Sequence, residues 1–134
     1  MNASATAEKQ GGKRSGTAIR TKGQQKVKEI LQATRDILVE DGHTQFSLRN
    51  VAGRAGIHLS NLQYYFPGKD ELIYGLMEFV GAEYESKYDE LFKGLPEDAR
   101  QRFEAVLRYL VMDIRNPRTR RFFVQLWALL ESSD

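Results

Sequence analysis

The sequence predicts an all-α protein, a three-helix head followed by a helical body, and three observations carry that prediction. Apolar residues recur at three- and four-residue steps from Val27 to Leu130, the period of helices that pack on one side. The runs break where Gly or Pro stands, at Gly42, Gly56, Pro67, Gly94 and Pro117. Charge segregates along the chain. Residues 1–69 carry eleven Lys/Arg against five Asp/Glu, a balance of +6, while residues 70–134 carry nine against thirteen, a balance of −4. A basic head on an acidic body is the electrostatic footprint of a lobe that binds phosphates.

Composition removes several function classes. With 134 residues the chain fits one or two small domains. The absence of Cys excludes a disulfide framework and thiolate chemistry, and is compatible with a reducing cytoplasm, the expected location. No apolar run approaches the roughly 20 residues that span a bilayer. The polar N-terminus lacks the apolar core of a signal peptide. The two histidines, His43 and His58, have no His-x-x-x-His or His-Glu-x-x-His spacing, so no metal is expected. No Ser-His-Asp grouping or paired-carboxylate constellation stands out, so neither an enzyme nor a cofactor is expected.

Residues 1–20, MNASATAEKQGGKRSGTAIR, hold almost nothing large and apolar and are expected to be a disordered arm. Lys13, Arg14 and Arg20 make it basic, able to follow DNA or simply to trail as an inert tail. The head is expected over residues 21–69. Thr21 and Gln24 have capping-box spacing, and Val27, Ile30, Leu31, Thr34, Ile37 and Leu38 follow at helical steps up to Gly42. This first helix is a scaffold under two shorter ones.

Those two are written in SLRNVAGRAGIHLSNLQYYF, residues 47–66, which has the outline of a helix-turn-helix. Ser47 is the expected N-cap, with Phe46 and Val51 as a hydrophobic staple, though Asn50 stands where Glu or Gln would close a capping box. Gly56 supplies the positive-φ position at which one helix stops and the next begins at a steep angle. Wrapped at helical pitch, Leu59 to Phe66 turns Leu62, Tyr65 and Phe66 to one side. Ser60 and Tyr64 fall at the centre of the other, flanked by Asn61 and Gln63. An outward face of short polar and amide side chains with a tyrosine, and no Lys or Glu, suits a helix laid in a DNA major groove. A partly buried helix with unremarkable polar residues is the plainer reading of the same pattern. His58 reads as a helix-terminal residue able to cap or to touch a phosphate.

The body is expected over residues 70–134. Pro67 stops the second short helix, and Ile73, Leu76, Phe79, Val80, Tyr84, Leu91 and Phe92 mark a long fourth helix to Gly94. Pro96 is expected to open a fifth, with Phe103, Val106, Leu107, Leu110, Val111 and Ile114 on its stripe, ended by Asn116-Pro117. The last run, Arg118 to Ser132, has Phe122, Phe123, Leu126, Trp127, Leu129 and Leu130 on more than one side, so it expects neighbours on several sides.

The stretch SLRNVAGRAGIHLSNLQYYFPGKDELI resembles the N-terminal DNA-binding domain of the tetracycline-repressor (TetR) family of bacterial transcriptional regulators, over about residues 24 to 80. It shares the Ser-initiated helix with Val-Ala, the Ala-Gly-Ile turn, the recognition helix ending in Tyr-Phe, and a Lys-containing turn before Glu-Leu. It departs from the family at His58, where a Ser N-cap is usual, and at Gln63, where Tyr is usual. Both departures bear on operator preference rather than on fold.

The resemblance implies a homeodomain-like head that reads a near-palindromic operator in double-stranded DNA as a homodimer. It further implies a helical body that binds a small-molecule effector, with the fourth helix as lever and, most often, release of repression as the result. It assigns Arg49, Ser60, Asn61 and Tyr64 to base edges or the groove, and Ser47, Gln63, Tyr65 and Lys69 to phosphates. Because the family continues with further helices, the body is expected to be a fragment. The competing function is a helical protein–protein interaction module that uses the apolar last helix and reads no DNA, and a membrane-surface role for that helix is disfavoured by the acidic body.

Overall fold

A computed structural model of the chain describes residues 11–95 and 97–133, with side chains from residue 20 onward. It is all-α, with no strand among the described residues. The order is α1 (Gly11–Glu40), a single 3-10 turn (His43–Gln45), α2 (Leu48–Ala55), α3 (Leu59–Tyr65), α4 (Lys69–Lys93), α5 (Ala99–Arg115) and α6 (Pro117–Glu131).

α1 begins ten residues earlier than expected, so the boundary at Thr21 falls inside a helix and Thr21–Gln24 is no capping box. Of the expected arm, residues 1–10 lie outside the described residues and the rest forms the first turns of α1. The reason is the asymmetry between nucleation and growth. Once the stretch from Val27 is packed, each residue ahead of it adds a hydrogen bond at the cost of ordering one residue. No proline stands there to stop it.

One hydrophobic core serves both head and body. Ile30, Ile37 and Leu38 of α1, Val51 of α2, Leu62 of α3, Leu72 and Leu76 of α4, and Leu129 of α6 are all essentially inaccessible to water and belong to one contiguous cluster. Among the described residues Thr34 is the single polar residue buried with them, and its hydroxyl donates to the Ile30 carbonyl at 2.8 Å. α4 crosses the head at Gly75, where a Cβ would come within 2.7 Å of the Phe66 ring, so a side chain there would push the two helices apart. Arg35 of α1 pairs with Glu83 of α4 at 2.7 Å and lies over the rings of Phe79, at 5.0 Å, and Phe122, at 5.7 Å.

α5 starts at Ala99 with Asp98 as its N-cap, whose carboxylate accepts from the Arg100 amide at 3.1 Å. Pro96, the expected start, lies outside the described residues. Asn116 caps α6 in the same way, accepting from the Arg118 amide at 2.9 Å with Pro117 at the first helical position.

The apolar surplus expected of the last helix is shared differently from the expectation. α6 buries Phe122, Leu126 and Leu129 against α1 and the core, with Phe123 and Leu130 half-buried, and leaves Trp127 68% exposed. α5 buries no residue fully, and Phe103, Val111 and Ile114 face water. Its link to α4 is aromatic and polar. Tyr109 meets Tyr84 and Tyr88 edge to face, and the Tyr84 hydroxyl donates to Asp113. Burial and that carboxylate push the Tyr84 hydroxyl well above the usual tyrosine range.

Candidate nucleic-acid interface

Ser47 opens α2 from an extended conformation, φ −153° and ψ 156°, and its hydroxyl accepts from the Asn50 amide at 3.0 Å. Asn50, which cannot close a capping box, instead donates its side-chain amide to the Gln45 carbonyl at 2.8 Å. That bond ties the entrance of α2 to the turn before it. Phe46 and Val51, the expected staple, are both buried.

α2 ends at Gly56, in the left-handed region at φ 69° and ψ 33°, and the Ile57 amide reaches back to the Ala52 carbonyl at 3.0 Å. The chain then enters α3 within three residues. The angle of α2 on α1 is held by Arg54, whose guanidinium reaches Glu40 at 2.5 Å and Asp41 at 2.7 Å across the end of α1. The Arg54 guanidinium beside Glu40 holds that carboxyl below the usual carboxylate range. Sequence reasoning passed over Arg54 and met Asn50 only as a gap in a capping box. Their partners sit on other elements, and only the pairing of Asn50 with residue 45 is short enough in sequence to have been looked for.

α3 has the two-sided character its pattern predicted. Leu62 is fully buried, Phe66 nearly so, Leu59 and Tyr65 half-buried, while Ser60, Asn61, Gln63 and Tyr64 are exposed. Tyr64 is 80% exposed, held upright by an edge-on contact with the Tyr65 ring at 5.0 Å. That exposure leaves most of the ring open to a partner. His58 occupies the N-cap position of α3 but makes no side-chain cap, so it is exposed and available.

Arg49 projects from the first turn of α2 and is exposed. Lys69 is the first residue of α4, exposed, with its ammonium 5.3 Å from the Phe46 ring centroid. The ring restrains the stem of Lys69 while its charge stays in water. Of the nine expected site residues, seven are thus exposed around α3. Ser47 is half-buried, its hydroxyl accepting the capping bond with its own proton still free to donate, and Tyr65 is half-buried as well. Among the described residues no group of His, Cys, Asp and Glu could hold a metal ion, and no helix is long and apolar enough to cross a membrane.

Residues 30–74 match the family described as bacterial regulatory proteins, tetR family. The HTH-type transcriptional regulator PksA of Bacillus subtilis (strain 168) is 40% identical over 53 residues, which are 40% of this chain and 26% of that protein. No solved structure matches. The matched span begins in the buried half of α1 and ends in the first turns of α4, so it takes in the 3-10 turn, both helices of the helix-turn-helix and Lys69. Residues 30–74, the helix-turn-helix and its flanks, are thus similar to the tetR family of bacterial regulatory proteins, and the chain spans about a quarter of the length of the curated relative it matches.

Proposed function

We propose that the chain is a sequence-specific DNA-binding transcriptional regulator. In this reading α3 lies in the major groove with Ser60, Asn61 and Tyr64 toward base edges. Arg49 reaches the groove edge from α2, and His58, Gln63 and Lys69 meet phosphates. Ser47 and Tyr65, half-buried at the edge of that face, meet phosphates as well. The observation that carries it is the outward face of α3. Ser60, Asn61, Gln63 and Tyr64 are exposed together, without a formal charge among them, between exposed basic residues on α2 and α4.

The same reading extends to a homodimer on a near-palindromic operator in the cytoplasm, because one short helix reads too few base pairs to be selective. The regulator acts as a repressor released by a small-molecule effector bound by the body, with residues 70–134 as that body and residues 21–69 as the reading head. What supports this is the family of residues 30–74 and the division of charge between the halves.

Fluorescence anisotropy with a duplex selected from a random pool, across a salt series, is the test. If about five phosphates are neutralised per head, log affinity falls against log salt with a slope of about −4 to −5 per subunit. A flat salt response would sink the reading.

A further inference from the structure

We infer that Gln125 of α6 is a positioning residue for DNA reading, acting through the corner that joins α1 to α2; the inference rests on the proposed DNA-binding function. The corner is made of Gly42 and His43. Gly42 is buried at φ 89°, so the chain turns there in a conformation few side chains accept. The Gln125 amide oxygen accepts from the His43 backbone amide at 2.8 Å and meets the His43 ring at Nδ1, also at 2.8 Å. With the backbone amide fixed as donor, that oxygen is an acceptor for both, and the ring carries its proton on Nδ1. A Cβ on Gly42 would approach the same oxygen to 3.2 Å, so the side chain fills the space against the turn.

Past this corner the chain runs directly into the reading helices. His43 opens the turn that leads to Phe46 and the Ser47 cap, and Asn50 of α2 is bonded to Gln45 at the end of that turn. The Gln125 contact therefore sits at the root of the chain segment that sets where α2, and hence α3, emerges. A second tie lies along the same pair of helices. Arg118, one end of α6, pairs with Asp36 of α1 and approaches Glu40 at 3.8 Å, the carboxylate that also holds Arg54 of α2. α6 thus grips the head at both the α1 surface and the α1–α2 corner, while α5 buries nothing fully. Loosening Gln125 frees the corner without removing any exposed group near α3.

The experiment compares the full chain with Gln125→Ala, Gln125→Glu and, as a control for stability, Ile30→Val, which trims the core in the middle of α1. Glu keeps an acceptor of the same length, and Ile30→Val lowers stability without touching the corner. Each is titrated against the selected duplex well below its unfolding temperature, and amide exchange is followed at His43 and Val51. Losing two charge-neutral hydrogen bonds at the corner is expected to weaken binding roughly 5- to 10-fold in Gln125→Ala. Gln125→Glu, which keeps the acceptor, should stay within about twofold of wild type, and so should Ile30→Val, which removes a buried methyl and leaves the corner's hydrogen bonds in place. The His43 amide exchanges faster in Gln125→Ala while Val51, bonded to the Ser47 carbonyl, stays protected. Unchanged affinity in Gln125→Ala overturns the inference, as does a loss that Ile30→Val reproduces at equal loss of unfolding temperature. If the wild-type chain shows no salt-dependent binding, the DNA-binding reading itself has failed and the inference falls with it, an outcome visible before any variant is made.

Discussion

Asn61, Arg49 and Tyr64 differ in what their side chains offer a base pair. Asn61 presents an acceptor and a donor in one plane, Arg49 a fork of donors, and Tyr64 a ring of the kind that can pack on a thymine methyl. Because all three are exposed, truncating them leaves the fold intact, so a change in binding reports on contact. Replacing each by Ala should cost roughly 1–3 kcal/mol on the preferred duplex and far less on random DNA. Equal losses on both in paired titrations would mean that they only hold the backbone. Lys69 is of another kind. Its ammonium is a point charge steadied by Phe46, so Lys69→Ala should weaken binding to every duplex alike and make the salt slope shallower by about one. Ser47 has two expected roles, the N-cap read from its position and the phosphate contact implied by the resemblance, and they are compatible, since its hydroxyl accepts from the Asn50 amide and keeps its own proton to donate. Ser47→Ala should therefore lower stability by about 1 kcal/mol in urea titrations.

At the scale of the element, the helix-turn-helix was legible because its instructions are local. Ser47, Gly56 and the Leu62–Phe66 side of α3 each act within one turn, and each does in the structure what its residue type demands. Gly56→Ala puts a Cβ in the left-handed region, where an L residue costs roughly 1–2 kcal/mol, although no neighbouring atom blocks it. Thermal unfolding should register that loss, and a variant as stable as wild type would show that the turn relaxes out of the left-handed region. Less legible was whatever depends on partners distant in sequence. The Arg54 clamp joins residues that no pattern relates, and so does the seat of α6 on the 3-10 turn. The start of α1 was illegible for a different reason, since helix growth ahead of a packed segment needs no capping signal. The clamp also has a pH sense. Glu40 is held below the usual carboxylate range, so its contribution is present at neutral pH and is lost as acid protonates it, loosening α2 from α1.

At the scale of the whole molecule, the core and the surface give different answers about completeness of packing. The core is continuous from α1 to α6, whereas α5 offers water a row of large apolar side chains on one face: Phe103, Leu107, Val111 and Ile114. Trp127 adds an indole from α6 that is 68% exposed. Single exposed apolar residues are ordinary, but a row on one face of a helix is a surface that gains by being covered. The acidic charge of residues 70–134 opposes close approach of two bodies, yet it is modest, and salt screens it over about 10 Å. Burial of apolar area is not screened in that way. The 134-residue chain is therefore expected to self-associate through the body and, as a single head, to hold a half-site only weakly. Sedimentation velocity over a concentration series checks this, with Phe103→Ser/Leu107→Ser on α5 and Trp127→Ser on α6 as separate variants. None of the three residues is buried, so both variants should fold and bind a half-site duplex as the parent does. If association is lost in the α5 pair alone, α5 carries the contact. Loss with Trp127→Ser alone would place it on α6, as the apolar pattern of that helix first indicated. A parent chain that sediments as a monomer throughout, with unchanged tryptophan fluorescence, would mean that these side chains are tolerated in water and that dimerisation must come from elsewhere.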